Sequence, residues 1–483
     1  MMLKHLVPTP KKIEVLEGTL KIENAIYTES EKFDTLTGVM KDAVKKLFRV
    51  DLESKNGGIV MQYCENLPTN LYIFDSTGDN IVLKASSVEG MSYALATTLQ
   101  AVTAIAGKLT VGRAIIEDYP EKDYRALMVD LARQWHPAST ISRYIDVCFM
   151  LKMKYLHLHF IDNQSYTLPS RAFPKLNVEG RYYTYEDIEN MRAYASARGI
   201  AIIPEFEAPG HARILTNTYP EVFANTLPES ADGVVIVTEM GVKLKSDTII
   251  CGGSKVTNDA VRTLLTEMCE LFPEAPYVHI GGDEANFKVW DYCPVCKQYM
   301  EENNIADSHE LYSEFVGRVA RMAFELGKTP IVWEGFPKNG VHHVPKETIV
   351  IAWESHYHLA PDLLEEGFKI INASWEPMYI VPDITKRWGP QEIFEWGIYN
   401  WQHWYKVSAA YDKPITVEPT ENVLGAQICS WESIYDLEIN KIIVNLSALS
   451  ERVWSTERVG NVDEFCDRVN FTSKRIAQLI QEV

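Results

Sequence analysis

Long apolar runs are missing from this 483-residue chain: no stretch of about 18 apolar residues occurs, so no membrane-spanning helix and no membrane partner are expected. The N-terminus, "MMLKHLVPTPKKIEVLEG", has no apolar core of the signal-peptide kind. A cytoplasmic protein is the default reading, although a secreted chain trimmed of its signal would look the same. Positive charge is scarce. Lys and Arg number 47 against 66 Asp and Glu, a net charge of −19, and nucleic acid is not expected as a partner because phosphates call for a basic face. Cysteine is sparse, with eight residues, too few in so long a chain for a disulfide framework. Cys293 and Cys296 in "CPVC" have the spacing of half a zinc or redox site. No second such pair exists, and Cys251 and Cys269 are the only other Cys within 50 residues. The expected reading is ordinary thiols, with no metal and no cofactor. Glycine-rich phosphate loops and low-complexity stretches are also absent.

What is present is a rhythm. The chain is too long for one ordinary core and suits a large barrel preceded by a smaller domain. From about residue 122 onward, short apolar runs end in polar residues and are followed by helix-like or loop segments. The runs are "YRALMVDLAR" (124–133), "YLHLHFID" (155–162), "GIAIIPEFE" (199–207), "YVHIGGDE" (277–284), "TPIVWEGF" (329–336), "TIVIAWES" (348–355), "FKIINAS" (368–374) and "VLGAQICSWE" (423–432). Between them, "STISRYIDVCFML" places Ile141, Tyr144, Ile145, Cys148 and Phe149 at helical spacing, with Ser139 or Thr140 as the expected N-cap. "TYEDIENMRAYASARG" starts at a capping Thr184 and stops at Gly199. "TNDAVRTLLTEMCELF" repeats the pattern. Near-continuous apolar strands alternating with helices indicate a parallel sheet, and eight units indicate a closed (β/α)8 TIM barrel over residues 122–483. "PKNGVHHVPKE", between strands five and six, reads as a loop in place of a helix. Residues 1–121 read as a separate small mixed α/β domain, with a strand and helix in "NIVLKASSVEGMSYALATTLQAVTAI" and a strand in "LTVGRAIIEDYP".

In such barrels the chemistry sits at the C-terminal ends of the strands. Here those ends carry Arg133, Asp162, then Glu205, Glu207 and His211, then Asp283 and Glu284. Trp333 with Glu334, Trp353 with Glu354, and Trp431 with Glu432 follow. Taken singly, each polar residue reads as solvated or paired, and each Trp reads as core. Their joint occurrence on one face is not predicted by that reading. Acids with aromatic platforms suit a neutral, hydroxyl-rich ligand. Adjacent strand residues point to opposite faces, but at the end of a strand both can reach one pocket. Gly281 and Gly282 remove side chains where the backbone must bend or a ligand approach. Asp283 and Glu284 could then divide the roles of proton donor and ionised orienter.

"HIGGDE" at 279–284 resembles the signature of the family 20 glycoside hydrolases, the β-N-acetylhexosaminidases. The first, second and third strands, "ALSERVW" at 448–454, the junction "IEDYPEKDYRA" and the N-terminal domain resemble that family in order. The resemblance implies a retaining exo-β-N-acetylhexosaminidase acting on terminal β-linked N-acetylglucosamine or N-acetylgalactosamine by substrate-assisted catalysis. It implies Glu284 as proton donor and Asp283 as the residue that steers the substrate's 2-acetamido group. It further implies Arg133 on ring hydroxyls, Asp162 and His211 in support of Glu284, Trp333, Trp353 and Trp431 as pocket walls, and Tyr379 on the acetamido oxygen. The family's distal acids are replaced here by Val381 and Ser433, with Glu432 one place early. That points to altered terminal-sugar preference, a 6-modified sugar included. The alternatives are a carbohydrate-binding barrel without turnover and a metal-dependent hydrolase. The latter lacks a His pair of ligand spacing near the acids. Oligomeric state is left open.

Overall fold

A computed structural model describes residues 2–227, 236–237, 243–244, 246–382 and 388–481. Its larger sheet is the barrel, with strands β1 (Tyr124–Asp130), β2 (Tyr155–His159), β3 (Ala201–Glu205), β4 (Tyr277–His279), β5 (Thr329–Trp333), β6 (Ile349–Ala352), β7 (Lys369–Asn372) and β8 (Val423–Ser430). Each lies in one of the eight apolar runs. All neighbouring pairs are parallel, and β8 pairs with both β7 and β1, so the sheet closes. Every residue of β1 and β2 is buried, as strands with a packed barrel interior inside and helices outside require.

The helices that cover the barrel follow from local pattern. α1 (Ala138–Met150) buries Ile141, Tyr144, Ile145, Cys148 and Phe149. Its start departs from the expected Ser139 or Thr140 cap. Pro137 is the N-cap, with φ −66° and no side-chain cap bond. Its carbonyl already accepts the Thr140 amide at 2.9 Å, so the ring-fixed backbone opens the helix before a hydroxyl is needed. α2 (Tyr185–Ser196) is capped by Thr184, whose side chain and that of Asp187 exchange bonds with each other's backbone. Gly199, at φ +71°, takes the left-handed turn that follows it. α3 (Lys255–Leu271) is capped by Ser254 and buries Val261, Leu264, Leu265 and Met268. Between β5 and β6 "PKNGVHHVPKE" forms only a 3-10 turn, Val341–His343. α4 (Tyr435–Trp454) follows β8, and α5 (Val462–Ile480) ends the described chain.

The N-terminal domain is a mixed eight-stranded sheet carrying two helices, Asp34–Phe48 and Val88–Ala101. Its last long strand, Lys108–Asp118, runs antiparallel to Lys12–Lys21 and Tyr72–Asp75. Asp118 ends that strand and is buried against the barrel. It accepts hydrogen bonds from Tyr72 Oη at 2.7 Å, Trp454 Nε1 at 2.8 Å and Lys152 Nζ at 3.1 Å. Lys152 precedes β2, so this contact lies at the end of the barrel opposite the C-terminal mouth. Among the described residues no helix is long and apolar enough to cross a membrane.

Candidate active site

The mouth of the barrel is organised around the end of β4. The strand stops at His279, and the next residues leave ordinary strand conformation. Gly281 has φ +69°, Gly282 +95° and Glu284 +45°. Space as well as backbone angle demands glycine here. A Cβ on Gly281 would fall 2.2 Å from Glu207 Oε1, and one on Gly282 would fall 2.5 Å from Val332 Cγ2. The Gly282 amide donates to Glu207 Oε1 at 3.0 Å, and Tyr312 Oη donates to the Gly282 carbonyl at 2.7 Å. Once the chain has turned twice, the side chains of Asp283 and Glu284 line the same cavity.

A polar chain leads into that cavity from three other strand ends. Arg133, beyond β1, places Nη2 2.6 Å from Asp162 Oδ2 and Nη1 3.1 Å from Asp130 Oδ2. Asp162, beyond β2, lies 3.2 Å from His211 Nδ1. His211, beyond β3, turns Nε2 to within 3.3 Å of Glu284 Oε2 and 3.8 Å of Asp283 Oδ2. Burial would raise the Asp162 carboxyl, but Arg133 and His211 beside it hold it well below the usual carboxylate range. Burial likewise opposes charge on His211, yet Asp162 and Glu284 raise it well above an ordinary imidazole. Asp162 is fully buried behind Arg133 and His211, and so touches other protein groups instead of forming cavity wall.

The walls are aromatic. Trp333, Trp353, Tyr379 and Trp431 line a cavity of ≈ 200 Å³ together with Arg133, His211, Asp283, Glu284 and Glu432. Trp353 and Tyr379 are stacked at 5.9 Å, and Trp333 sits 5.8 Å from Trp431. Two of the rings are held from behind: Trp333 Nε1 donates to Glu205 Oε1 at 2.5 Å, and Trp353 Nε1 donates to the Glu334 carbonyl at 2.7 Å. Glu205 is itself surrounded by His159, His157 and His279 at 2.6, 3.1 and 3.0 Å. Against the cost of burial, these imidazoles keep it well below the usual range. Glu334 turns away from the cavity and accepts the backbone amides of Ser355, His356 and Tyr357 at 3.0, 2.8 and 3.1 Å, tying down the loop after β6.

Four lining residues were not found from the sequence: Trp375, His403, Trp404 and Tyr405. All come from the long β7–β8 connection. Trp375 stacks on Tyr379 at 4.3 Å. For His403, Trp404 and Tyr405 the only signal was the aromatic density of "NWQHWYK" at 400–406, in a stretch with no period. Val381 lines the cavity, whereas the Ser433 hydroxyl is buried and bonded to Ser430 Oγ at 2.7 Å. Glu432 is half-exposed, with Oε1 3.6 Å from Arg133 Nε.

Three buried carboxylates in and behind the cavity wall have no lysine or arginine partner among the described residues. Burial, with Glu284 beside it, pushes Asp283 up to about 6 despite His211. Burial and the nearby Glu284 push Glu354 up to about 8. Glu207 is raised well above the usual range by burial and by Asp283. Donor atoms of His211, Asp283 and Glu284 lie within 4.8 Å of one another, so this trio has the composition of a cation site as well as of an acid–base site. The carboxylates, the imidazole-linked acid and the stacked rings together make a pocket for a ring with polar substituents on one edge and apolar faces.

Residues 123–457 match the model of glycosyl hydrolase family 20, catalytic domain. The chain belongs to glycosyl hydrolase family 20. Among similar proteins, a β-hexosaminidase of Akkermansia muciniphila is 29% identical over 442 residues, covering 86% of each chain. One of Vibrio furnissii is 27% identical over 88% of this chain and 72% of its own. Among solved structures, an exo-β-N-acetylglucosaminidase of Vibrio harveyi in complex with N-acetylglucosamine superposes with a TM-score of 0.84. Its identity is 22%, over 99% of this chain and 77% of that one. A β-N-acetylhexosaminidase of Bacteroides fragilis gives 0.80 at 23%, over 98% and 96%. These structures share the fold. By family, the protein is a glycoside hydrolase of the β-hexosaminidase type.

Proposed function

We propose that this family 20 hydrolase is a retaining exo-β-N-acetylhexosaminidase that removes terminal β-linked N-acetylglucosamine or N-acetylgalactosamine by substrate-assisted catalysis. The catalytic unit spans residues 122–483 and the N-terminal domain residues 1–121. Glu284 gives its proton to the glycosidic oxygen as the C1–O bond breaks. The carbonyl oxygen of the substrate's own 2-acetamido group attacks C1 from the opposite face, and Asp283 accepts the acetamido N–H and offsets the charge that develops. An oxazolinium forms. Glu284, now a carboxylate, takes a proton from water, which attacks C1 as the bond from C1 to the acetamido oxygen breaks, so that the acetamido group is regenerated and the β configuration restored. A second carboxylate across the ring is unnecessary because the substrate brings the nucleophile. Arg133 binds ring hydroxyls, Asp162 and His211 hold Glu284, Tyr379 bonds the acetamido oxygen, and Trp333, Trp353 and Trp431 wall the sugar.

The observation that carries this reading is the reach of His211 Nε2, 3.3 Å from Glu284 and 3.8 Å from Asp283, with its other nitrogen on Asp162. One imidazole thus stands beside both adjacent acids. Val381 in the wall, where a distal acid would grip the far hydroxyls, leaves that edge apolar. We propose relaxed choice between the gluco and galacto forms, or acceptance of a 6-modified N-acetylglucosamine, with Glu432 as the acid that would restore discrimination instead. A panel of aryl glycosides tests both levels, run with and without chelator. Turnover of the N-acetyl-β-glucosaminide, insensitive to chelator and absent on the plain glucoside, is the expected result. Equal turnover of the plain glucoside sinks the acetamido mechanism. A large preference for unmodified N-acetylglucosamine over its galacto and 6-sulfated forms sinks the relaxed pocket.

A further inference from the structure

Outside the cavity, three thiols from two separate parts of the chain meet in the core. Cys251 Sγ lies 3.8 Å from Cys293 Sγ and 3.6 Å from Cys296 Sγ, and all three sulfurs lie within 4.8 Å of one another. All three residues are buried, and none is in a disulfide. A disulfide needs about 2.05 Å. Thiolates held tetrahedrally at ~2.3 Å from one zinc ion stand ~3.8 Å apart. The spacing here is that of the second arrangement.

The backbone around the sulfurs is shaped the same way. Cys293 is the N-cap of the helix Pro294–Glu302, and Cys296 lies in its first turn. The amides of Cys296 and Thr226 are directed at the Cys293 sulfur, and that of Gly253 at the Cys251 sulfur. The two strands of chain are packed too closely for side chains: a Cβ on Gly253 would fall 2.8 Å from Cys296 Cα, and one on Gly252 would fall 2.7 Å from the Trp290 ring. Asn225 completes the surroundings. Its Nδ2 donates to the Ile249 carbonyl at 2.9 Å, which turns Oδ1 toward Cys296 Sγ at 3.8 Å.

We propose that Cys251, Cys293 and Cys296 bind one zinc ion as thiolates, with Asn225 Oδ1 facing the fourth position. Binding releases three thiol protons and involves no redox change. The site is closed and buried, and its work is structural. It clamps the segment leading into α3 to the chain that leaves Asp283 and Glu284, where Trp290 Nε1 already donates to the Ile250 carbonyl at 2.9 Å. Cys269, on α3, takes no part in the cluster.

The test is elemental analysis of the full chain, produced with zinc in the medium and purified reduced without chelator. One zinc per chain is expected, falling by at least ~10-fold in Cys251→Ser and in Cys293→Ser while Glu284→Gln keeps it. If the serine variants do not fold, wild-type protein decides. Titration with a mercurial should release zinc to a chromophoric chelator in step with loss of thermal stability, and cobalt substitution should give a thiolate-to-metal charge-transfer band. Absence of stoichiometric zinc together with failure of the reduced protein to take up zinc or cobalt overturns the proposal. So does a disulfide between any two of these cysteines in the freshly purified protein.

Discussion

The two ends of the barrel bury charge in opposite ways. At the N-terminal end, Asp118 meets a cation, an indole N–H and a phenol. Arg125 beside it donates to the carbonyls of Lys152, Lys122 and Asp123. At the C-terminal mouth, Asp283, Glu354 and Glu207 are buried, have no lysine or arginine partner among the described residues, and are raised above the ordinary carboxylate range. The same residue type thus serves assembly at one end and is held out of balance at the other. A fully satisfied buried charge fixes one packing of two domains. An unsatisfied one costs stability and is relieved by a proton or a ligand, as at functional sites.

The sharpest way to break this contrast is at Glu284. Glu284→Gln should slow turnover of substrates with poor leaving groups by roughly 10²–10⁴-fold and should act much less on aryl substrates with good ones. Steady-state kinetics on both kinds checks it, and an equal loss on both removes Glu284 from the donor role. At the other end, Asp118→Asn strips Lys152 of its counter-charge, and a broken buried pair costs roughly 3–5 kcal/mol. Denaturant unfolding should show that loss while kcat per folded molecule is unchanged. A fall in kcat would mean that the two ends are coupled.

Asp283→Asn should separate stability from activity in one substitution. The Asp283 carboxyl is raised from 3.8 to about 6. Its favourable contribution to folding is therefore complete below its unfolded value and is lost as pH rises through about 6. The variant should melt higher than wild type at pH 7 to 8, with the difference closing toward pH 4, while turnover falls. In wild type, kcat/KM should decline as pH drops through about 6, because a protonated Asp283 cannot accept the acetamido N–H. A pH profile of the variant that keeps this limb would assign it to another group. The smallest effect is expected at Glu432, half-exposed and 3.6 Å from Arg133. Glu432→Ala should change the ratio of kcat/KM between terminal sugars by less than about tenfold, consistent with a screened contact worth under ~1 kcal/mol, and should leave thermal stability alone.

Much of the barrel was legible because its signals are local. Eight apolar runs became eight strands, since a strand buried on both faces needs no partner to be recognised. Thr184 and Gly199 marked the limits of α2 through bonds made within a few residues. The start of α1 was misread because a hydroxyl signal next to a proline is ambiguous until backbone angles are known. In the mouth, side chains at strand ends were readable because a TIM barrel delivers every strand end to one rim. Trp375, His403, Trp404 and Tyr405 were not, because they arrive on a connection without periodicity. Cys251 was not joined to Cys293 and Cys296, because spacing along the chain says nothing about a thiol brought from 42 residues away.

By itself, then, the amino-acid order determined where strands and helices form and which chemical groups stand at the mouth. Those outcomes depend on propensity, periodicity and caps, all of them short-range. Only the tertiary structure decided that Arg133, Asp162, His211 and Glu284 form one chain, that Asp283 and Glu354 have no lysine or arginine partner among the described residues, and that three thiols meet in the core. Such facts depend on distance and burial, which arise when segments remote in sequence are packed together and water is removed from between them.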